Sequence, residues 1–179
     1  MEVIKTTLRD VWLIKPGIHT DFRGDYVMTW REDIYCYEMA QGFKEIWRFI
    51  EHDVSYSGYG VLRGIHYSPS CWKLNHCLCG AIYYVVVNCD ESDEEFGKWE
   101  AFILDDRKHH QLLKHPRYGS GFYVLSDHAV FHYMQSQYYD RDNPDQKTFK
   151  WDDPRFDIWW PDKNPILSRR DDTGEYITH

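Results

Sequence analysis

The chain of 179 residues lacks any apolar run approaching the ~20 residues that a membrane-crossing helix needs. Its longest, Ala81 to Val87, is far shorter. Nor does it open on a charged segment that gives way to an apolar one, so no secretory leader is expected and the protein reads as soluble and cytoplasmic. Positive charge is scarce: 21 Lys+Arg stand against 29 Asp+Glu, a net charge of -8. A polyanion would have to be met by local cations rather than by a global field, so neither nucleic acid nor a membrane surface is an expected partner. Cysteine is sparse and unpatterned. Cys36, Cys71, Cys77, Cys79 and Cys89 are odd in number and match no zinc-finger spacing, which argues for reduced thiols over a disulfide framework or a structural metal site. Internal repeats, linkers and low-complexity tracts are missing too, although Arg169 to His179 is polar enough to fray.

What is present is apolar and aromatic. Hydrophobic residues make up 42% and aromatics 17%, enough for one core at a length within the usual range of one domain. Val, Ile, Tyr, Phe and Trp cluster in short segments separated by Gly, Pro, Asp and Asn, the pattern of an all-β sandwich or barrel. The strand candidates are Val11 to Ile14, Tyr26 to Trp30, Ile46 to Val54, Val61 to Tyr67, Ala81 to Asn88, Trp99 to Leu104, Phe122 to Leu125 and Ala129 to Gln135. So many strands in a small domain favour a double-sheet jelly roll, the architecture that includes cupins. Glu32 to Gln41, with Gly42 as a stop, is the one helix of any length expected.

Residues that could carry chemistry interrupt this pattern. Arg63 and His66 lie inside the apolar run Val61-Leu62-Arg63-Gly64-Ile65-His66-Tyr67, where strict alternation would send them to opposite faces. A bulge at Gly64 would let both reach one cavity; an outward Arg beside a hydrogen-bonded core His is the alternative. Lys73, beside Leu74, Cys77 and Leu78, either snorkels to the surface or is buried for function. Alternation along Ala129 to Gln135 puts Tyr133 with Phe131, hence inward if that face is the core. His128 and His132 have a spacing open to reading as a metal pair, but a metal cupin needs about three or four converging ligands and no His-x-His element or nearby Glu completes the set. The segment from Trp151 to Asp172 is too rich in Trp and Pro for a flexible terminus and is expected to pack on the domain, which would let Asp171 or Asp172 reach inward.

Taken in order, Asp21-x-Arg23-Gly24, Val61-Leu62-Arg63-Gly64-Ile65-His66, Lys73-Leu74, Phe96-Gly97-Lys98, Gly121-Phe122, Tyr133, Tyr138-Tyr139, Trp151-x-Asp153, Trp160-Pro161 and Leu167-Ser168-x-x-Asp171 resemble the dTDP-4-dehydrorhamnose 3,5-epimerase family. The resemblance spans nearly the whole chain. It implies a single cupin domain over residues 1–179, working without metal or organic cofactor as a homodimer that exchanges an N-terminal strand, with 151–172 packed on the barrel. It implies His66 as general base, Asp171 as the carboxylate holding its imidazole, Lys73 as the cation beside the sugar C4 oxygen, and Tyr133 as the acid on the opposite face. Arg63 would bind the diphosphate and Arg23 the nucleotide held by the neighbouring subunit. Departures from the family pattern fall at substrate contacts. Glu51-His52-Asp53 stands for the usual Gln-x-Asn, Ser120 stands near the position of a usual His, and the acidic residue after the Arg-Gly turn is replaced around Met28. Glu51, Asp53, Ser120 and Tyr139 are therefore also expected at the substrate. Pro144-Asp145-Gln146 is similar to relatives acting on GDP-6-deoxy-4-keto-heptoses.

The implied chemistry suits these residue types. A C4 ketone acidifies the C–H bonds at C3 and C5, and a fixed cation stabilises the enolate by a few kcal/mol in a closed site. Imidazole paired with a carboxylate is an efficient base near neutral pH. Inversion needs a second acid across the ring. The expected activity is thus inversion of C3, or of C3 and C5, in a nucleoside-diphosphate 4-keto-6-deoxy sugar, a step of deoxysugar and polysaccharide biosynthesis. A sugar-nucleotide 3,4-ketoisomerase is the enzyme alternative, but paired catalytic histidines are missing around His66. A non-catalytic sugar-nucleotide-binding cupin is the alternative from another class.

Overall fold

The computed structural model describes residues 1–35, 48–140 and 142–174. Thirteen strands run β1 (Glu2–Lys5), β2 (Val11–Lys15), β3 (Ile18–Asp21), β4 (Gly24–Val27), β5 (Glu51–Gly58), β6 (Leu62–Tyr67), β7 (Lys73–Cys79), β8 (Ala81–Asn88), β9 (Trp99–Asp105), β10 (Gln111–Lys114), β11 (Tyr118–Val124), β12 (His128–Gln135) and β13 (Lys147–Thr148). They form a six-stranded sheet in the order β1-β2-β10-β7-β12-β5, a five-stranded sheet β13-β6-β11-β8-β9, and the separate hairpin β3-β4. All of these strand pairs are antiparallel. This is the jelly roll expected of a cupin.

The longest apolar run forms a strand covered on both sides, which is why it does not alternate. Ile82, Tyr84 and Val86 of β8 join Leu104, Leu112, Phe122 and Phe131 in the core between the sheets. Val85 and Val87 point the other way, into a layer closed by Phe149, Phe156 and Trp160. The Trp- and Pro-rich segment thus seals the back of the five-stranded sheet, with the Trp160 indole donating to the Trp151 carbonyl at 2.8 Å. Trp12, Leu74, Leu113 and Met134 on the back of the six-stranded sheet are covered by Tyr35, Phe49, Met28 and Trp30.

Several expected elements shift. Tyr26 to Trp30 is not one strand: β4 ends at Val27, and Met28 and Trp30 leave the hairpin to pack on the larger sheet. The strand expected at Ile46 to Val54 runs from Glu51 to Gly58, and positions 46–47 lie outside the described residues. Of the helix expected at Glu32 to Gln41, residues 32–35 are helical and the remainder lies outside the described residues. A second helical turn, Arg169–Asp172, closes the described chain. Among the described residues no helix is long and apolar enough to cross a membrane.

Lys114 is buried at 1% exposure, paired across the strands with Lys73, and donates to the Tyr118 carbonyl. Burial first, then the Lys73 charge, pushes its pKa down to about 7. An unfolded lysine titrates near ~10.4. Between these values the unfolded chain binds a proton that the folded chain does not, so this residue makes stability rise with pH from about 7 upward. Urea midpoints of the wild type and Lys114→Met are expected to diverge between pH 6.5 and 8.5, with only the wild type gaining from the lysine. Parallel pH profiles would show that Lys114 titrates alike in both states.

Candidate active site

Gly64 is where the site begins. Its φ is +117°, and a Cβ there would stand 2.6 Å from the Gly121 Cα and 2.7 Å from the Ser120 carbonyl oxygen. Only glycine fits this conformation and this approach of β6 to β11. Opposite it the register slips, with Ser120 facing His66 but Phe122 facing Arg63. The extra residue in β6 is the bulge the sequence suggested, and it turns Arg63 and His66 into the same cavity of about 150 Å³.

A second cavity of about 170 Å³ adjoins it, and His66, Lys73 and Tyr133 line both. The register of the six-stranded sheet explains their meeting. Lys73 lies across from Gln135, and Tyr133 lies across from Asn75 on one side and Asp53 on the other. With a period of two, Lys73 and Asn75 of β7, Tyr133 and Gln135 of β12, and Glu51 and Asp53 of β5 form three adjacent pairs on one face.

His66 Nε2 lies 2.7 Å from Asp171 Oδ1. Asp171 is 3% exposed and is delivered by the turn Arg169–Asp172, whose cap Ser168 accepts from the Asp171 amide at 3.1 Å and donates to Oδ2 at 2.8 Å. The Gly64 amide donates to Oδ1 at 3.4 Å. Burial alone would raise the Asp171 pKa, but the His66 hydrogen bond and charge, the Ser168 hydroxyl and the Gly64 amide outweigh it and hold the carboxyl below its ordinary value. A fixed carboxylate keeps the proton on Nε2 and leaves Nδ1 with a free lone pair.

The Lys73 ammonium sits 4.7 Å from the centre of the Tyr133 ring. Burial pushes the Lys73 pKa down, opposed by Cys71, Asp53 and Glu51 and assisted by Arg170. Burial also pushes Tyr133 up, joined by the charges of Asp53 and Glu51, so the phenol holds its proton. Arg63 donates to Ser57 Oγ at 2.9 Å and to the Tyr56 carbonyl at 3.4 Å. Ser120 lines the inner cavity and Tyr139 the outer one. Glu51 accepts from the Gln135 amide and, at 3.1 Å, from the Tyr139 backbone N–H.

Arg23 is not brought to this chain's cavities. It stands exposed at the turn of β3-β4 and forks onto Asp21 at 2.6 Å. His128 and His132 do not converge: His128 lies 3.6 Å from Cys79 Sγ, whereas His132 packs edge-on against His52. Among the described residues no group of three His, Cys, Asp or Glu is placed to hold a metal ion. Sequence reasoning missed Asn75, Gln135 and Arg170. The first two follow from period-two counting once Lys73 and Tyr133 face inward. Arg170 lines the outer cavity, donating to Thr148 Oγ1 at 2.7 Å and to Tyr139 Oη at 3.2 Å, and its signal is its place immediately before Asp171.

Known proteins share this arrangement of strands. The dTDP-6-deoxy-D-glucose-3,5-epimerase of Legionella pneumophila Philadelphia 1, solved in complex with dTDP-4-keto-L-rhamnose, superposes with a TM-score of 0.87 at 29% identity over 95% of this chain and 89% of that one. A 3′-monoepimerase from Streptomyces bikiniensis in complex with dTDP-quinovose does so with a TM-score of 0.83 at 30% identity, over 93% and 83%. The dTDP-4-dehydrorhamnose 3,5-epimerase of Shigella flexneri is 34% identical over 178 residues, 98% of this chain and 95% of that protein. The family model for dTDP-4-dehydrorhamnose 3,5-epimerase matches residues 5–179, and the chain belongs to that family.

Proposed function

We propose that this protein inverts C3, or C3 and C5, of a nucleoside-diphosphate 4-keto-6-deoxy sugar through an enolate. The observation that carries the reading is the meeting of the His66–Asp171 pair, Lys73 and Tyr133 around two adjoining cavities. His66 Nδ1 removes the proton beside the ketone, and Asp171 stabilises the imidazolium that results. Lys73 faces the C4 oxygen and takes up the negative charge that develops there. Tyr133 gives its proton to the carbon from the opposite side, so the centre is inverted when the ketone re-forms.

Arg63 and Arg170 are cations in reach of a diphosphate at the two cavities. Ser120, Glu51, Asp53 and Tyr139 supply the polar contacts that select the sugar and nucleotide. A second copy of the chain completes the site. Within one chain β1 pairs with β2, which leaves the β3-β4 hairpin as the N-terminal element free to cross. This hairpin carries Phe22 at 97% exposure and Tyr26 at 70%, and a two-stranded hairpin needs further cover to be stable. Crossing would bring Arg23 to the partner's nucleotide. A ketoisomerase is disfavoured because His66 is the only histidine among the described residues lining either cavity.

Incubating the protein in deuterated buffer with 4-keto-6-deoxy sugars on dTDP, GDP and CDP tests the reading by NMR. Deuterium is expected at C3 of at least one substrate together with inverted product. Binding without uptake at C3 or C5 from any member would make the protein a binder.

A further inference from the structure

The inner face of β5 carries two acids beside Tyr133, and the mechanism above gives them substrate contacts but no part in the proton transfers. Asp53 is the direct cross-strand partner of Tyr133, and Glu51 that of Gln135. Side chains so paired on one face lie about 4.5–5.5 Å apart at Cβ, within reach of each other. Gln135 Nε2 donates to Glu51 Oε1 and lies 3.4 Å from Asp53 Oδ2, so one amide ties the two carboxyls together. We infer that the Glu51–Asp53 pair sets how readily Tyr133 gives up its proton, and so divides the enolate between inversion and return to the original configuration. The inference rests on the proposed epimerisation and concerns one residue of it.

The physical reason is charge. As the Tyr133 O–H bond breaks and its proton goes to the ring carbon, a phenolate forms opposite Asp53. With a proton held on Asp53, that phenolate meets a neutral hydrogen-bond donor. The proton then passes to the phenolate oxygen, and water restores it to Asp53. With Asp53 ionised, the phenolate forms beside a negative charge in a half-buried site and becomes harder to make. Every group facing Asp53 fits this picture. Glu51 on its own strand favours retention of a proton, whereas Tyr133 on β12 and Lys73 on β7 oppose it. Gln135 is neutral, and Cys71 and Arg170 act one step further out, on Lys73. Burial first, then the charge and hydrogen bond of Glu51, hold Asp53 above the ordinary carboxylate range against Tyr133 and Lys73. Asp53 is thus a positioning residue acting through the phenol.

The readout is the ratio of inverted product to deuterium gained at C3 with retained configuration, followed by NMR from pH 5 to 8.5. In the wild type this ratio is expected to fall about tenfold as pH rises through the ionisation of Asp53, the change that corresponds to one pKa unit in the acid Tyr133. Asp53→Asn keeps the shape and a hydrogen-bonding partner for the phenol but cannot ionise, and its ratio should be flat across the range and above the wild type at pH 8. Glu51→Gln should move the midpoint of the wild-type fall to lower pH. A general loss of packing would depress both products together without changing how their ratio depends on pH. A pH-independent ratio in the wild type, or an unchanged slope in Asp53→Asn, would overturn the inference while leaving epimerisation intact. An absence of any exchange in the wild type would instead overturn the proposed reaction.

Discussion

In His66→Asn, deuterium uptake from solvent into C3 of a 4-keto sugar is expected to fall by roughly 10²–10⁴-fold, the range for losing a positioned general base. Asparagine keeps a polar group at the place of Nδ1 but does not reach Asp171 as Nε2 does, and the bulge at Gly64 and the barrel should persist, which circular dichroism can verify. Asp171→Asn tests the same unit from its other end. The buried carboxyl accepts from His66, Ser168 and the Gly64 amide, and an amide in its place no longer selects the tautomer or balances the imidazolium. Because the two residues act together, the double variant should be little worse than either single one. Rapid exchange in His66→Asn would require a different base and would remove the dyad from the mechanism.

A different signature is expected for Tyr133→Phe. The substitution keeps the ring that packs against Phe131 and faces Lys73, and deletes only the donor. On the proposed mechanism enolisation should survive, because there it depends on His66 and Lys73. The variant should therefore wash deuterium into C3 with retained configuration while inverted product drops by roughly 10²–10⁴-fold, far beyond the loss of one neutral hydrogen bond. NMR distinguishes the two products in one sample. Inversion at the wild-type rate would reduce Tyr133 to a wall of the cavity and move the donor to Tyr139 or water. An equal fall in exchange and inversion would mean that the phenol acts before the enolate exists, by polarising the ketone or orienting the sugar.

The parts of this arrangement that were legible in the sequence are those governed by alternation. β8 is bounded by the residues its apolar run implies, and Tyr133 shares the face of Phe131 as period-two counting requires. Arg63 and His66 were readable as a pair because Gly64 between them permits the bulge. β7 was not recognised as a strand: its inward positions Lys73 and Asn75 are polar and line the cavity, so polarity no longer distinguishes inside from outside. β11 begins four residues before the expected Phe122 because Gly119 and Gly121 look like breaks, whereas they are the price of close approach to β6. Asp171 had no local signature. It meets His66 across the whole domain; packing of the Trp- and Pro-rich segment left Asp171 and Asp172 as alternatives, and only the ordered resemblance to known epimerases chose between them.

That contact also hangs one half of the site on a single short turn. His66 and Asp171 are separated by 105 residues, whereas Lys73 and Tyr133 meet through neighbouring strands of one sheet. Closing so long a loop is entropically costly until most of the intervening topology is in place, and the turn that delivers Asp171 is only four residues long, held by Ser168 and by its docking on β6. Fraying of that short turn would therefore part Asp171 from His66 while leaving Lys73 and Tyr133 seated on neighbouring strands of the larger sheet. On the proposed mechanism, local opening of the turn would cost the base its carboxylate before it disturbed the proton donor or the cation.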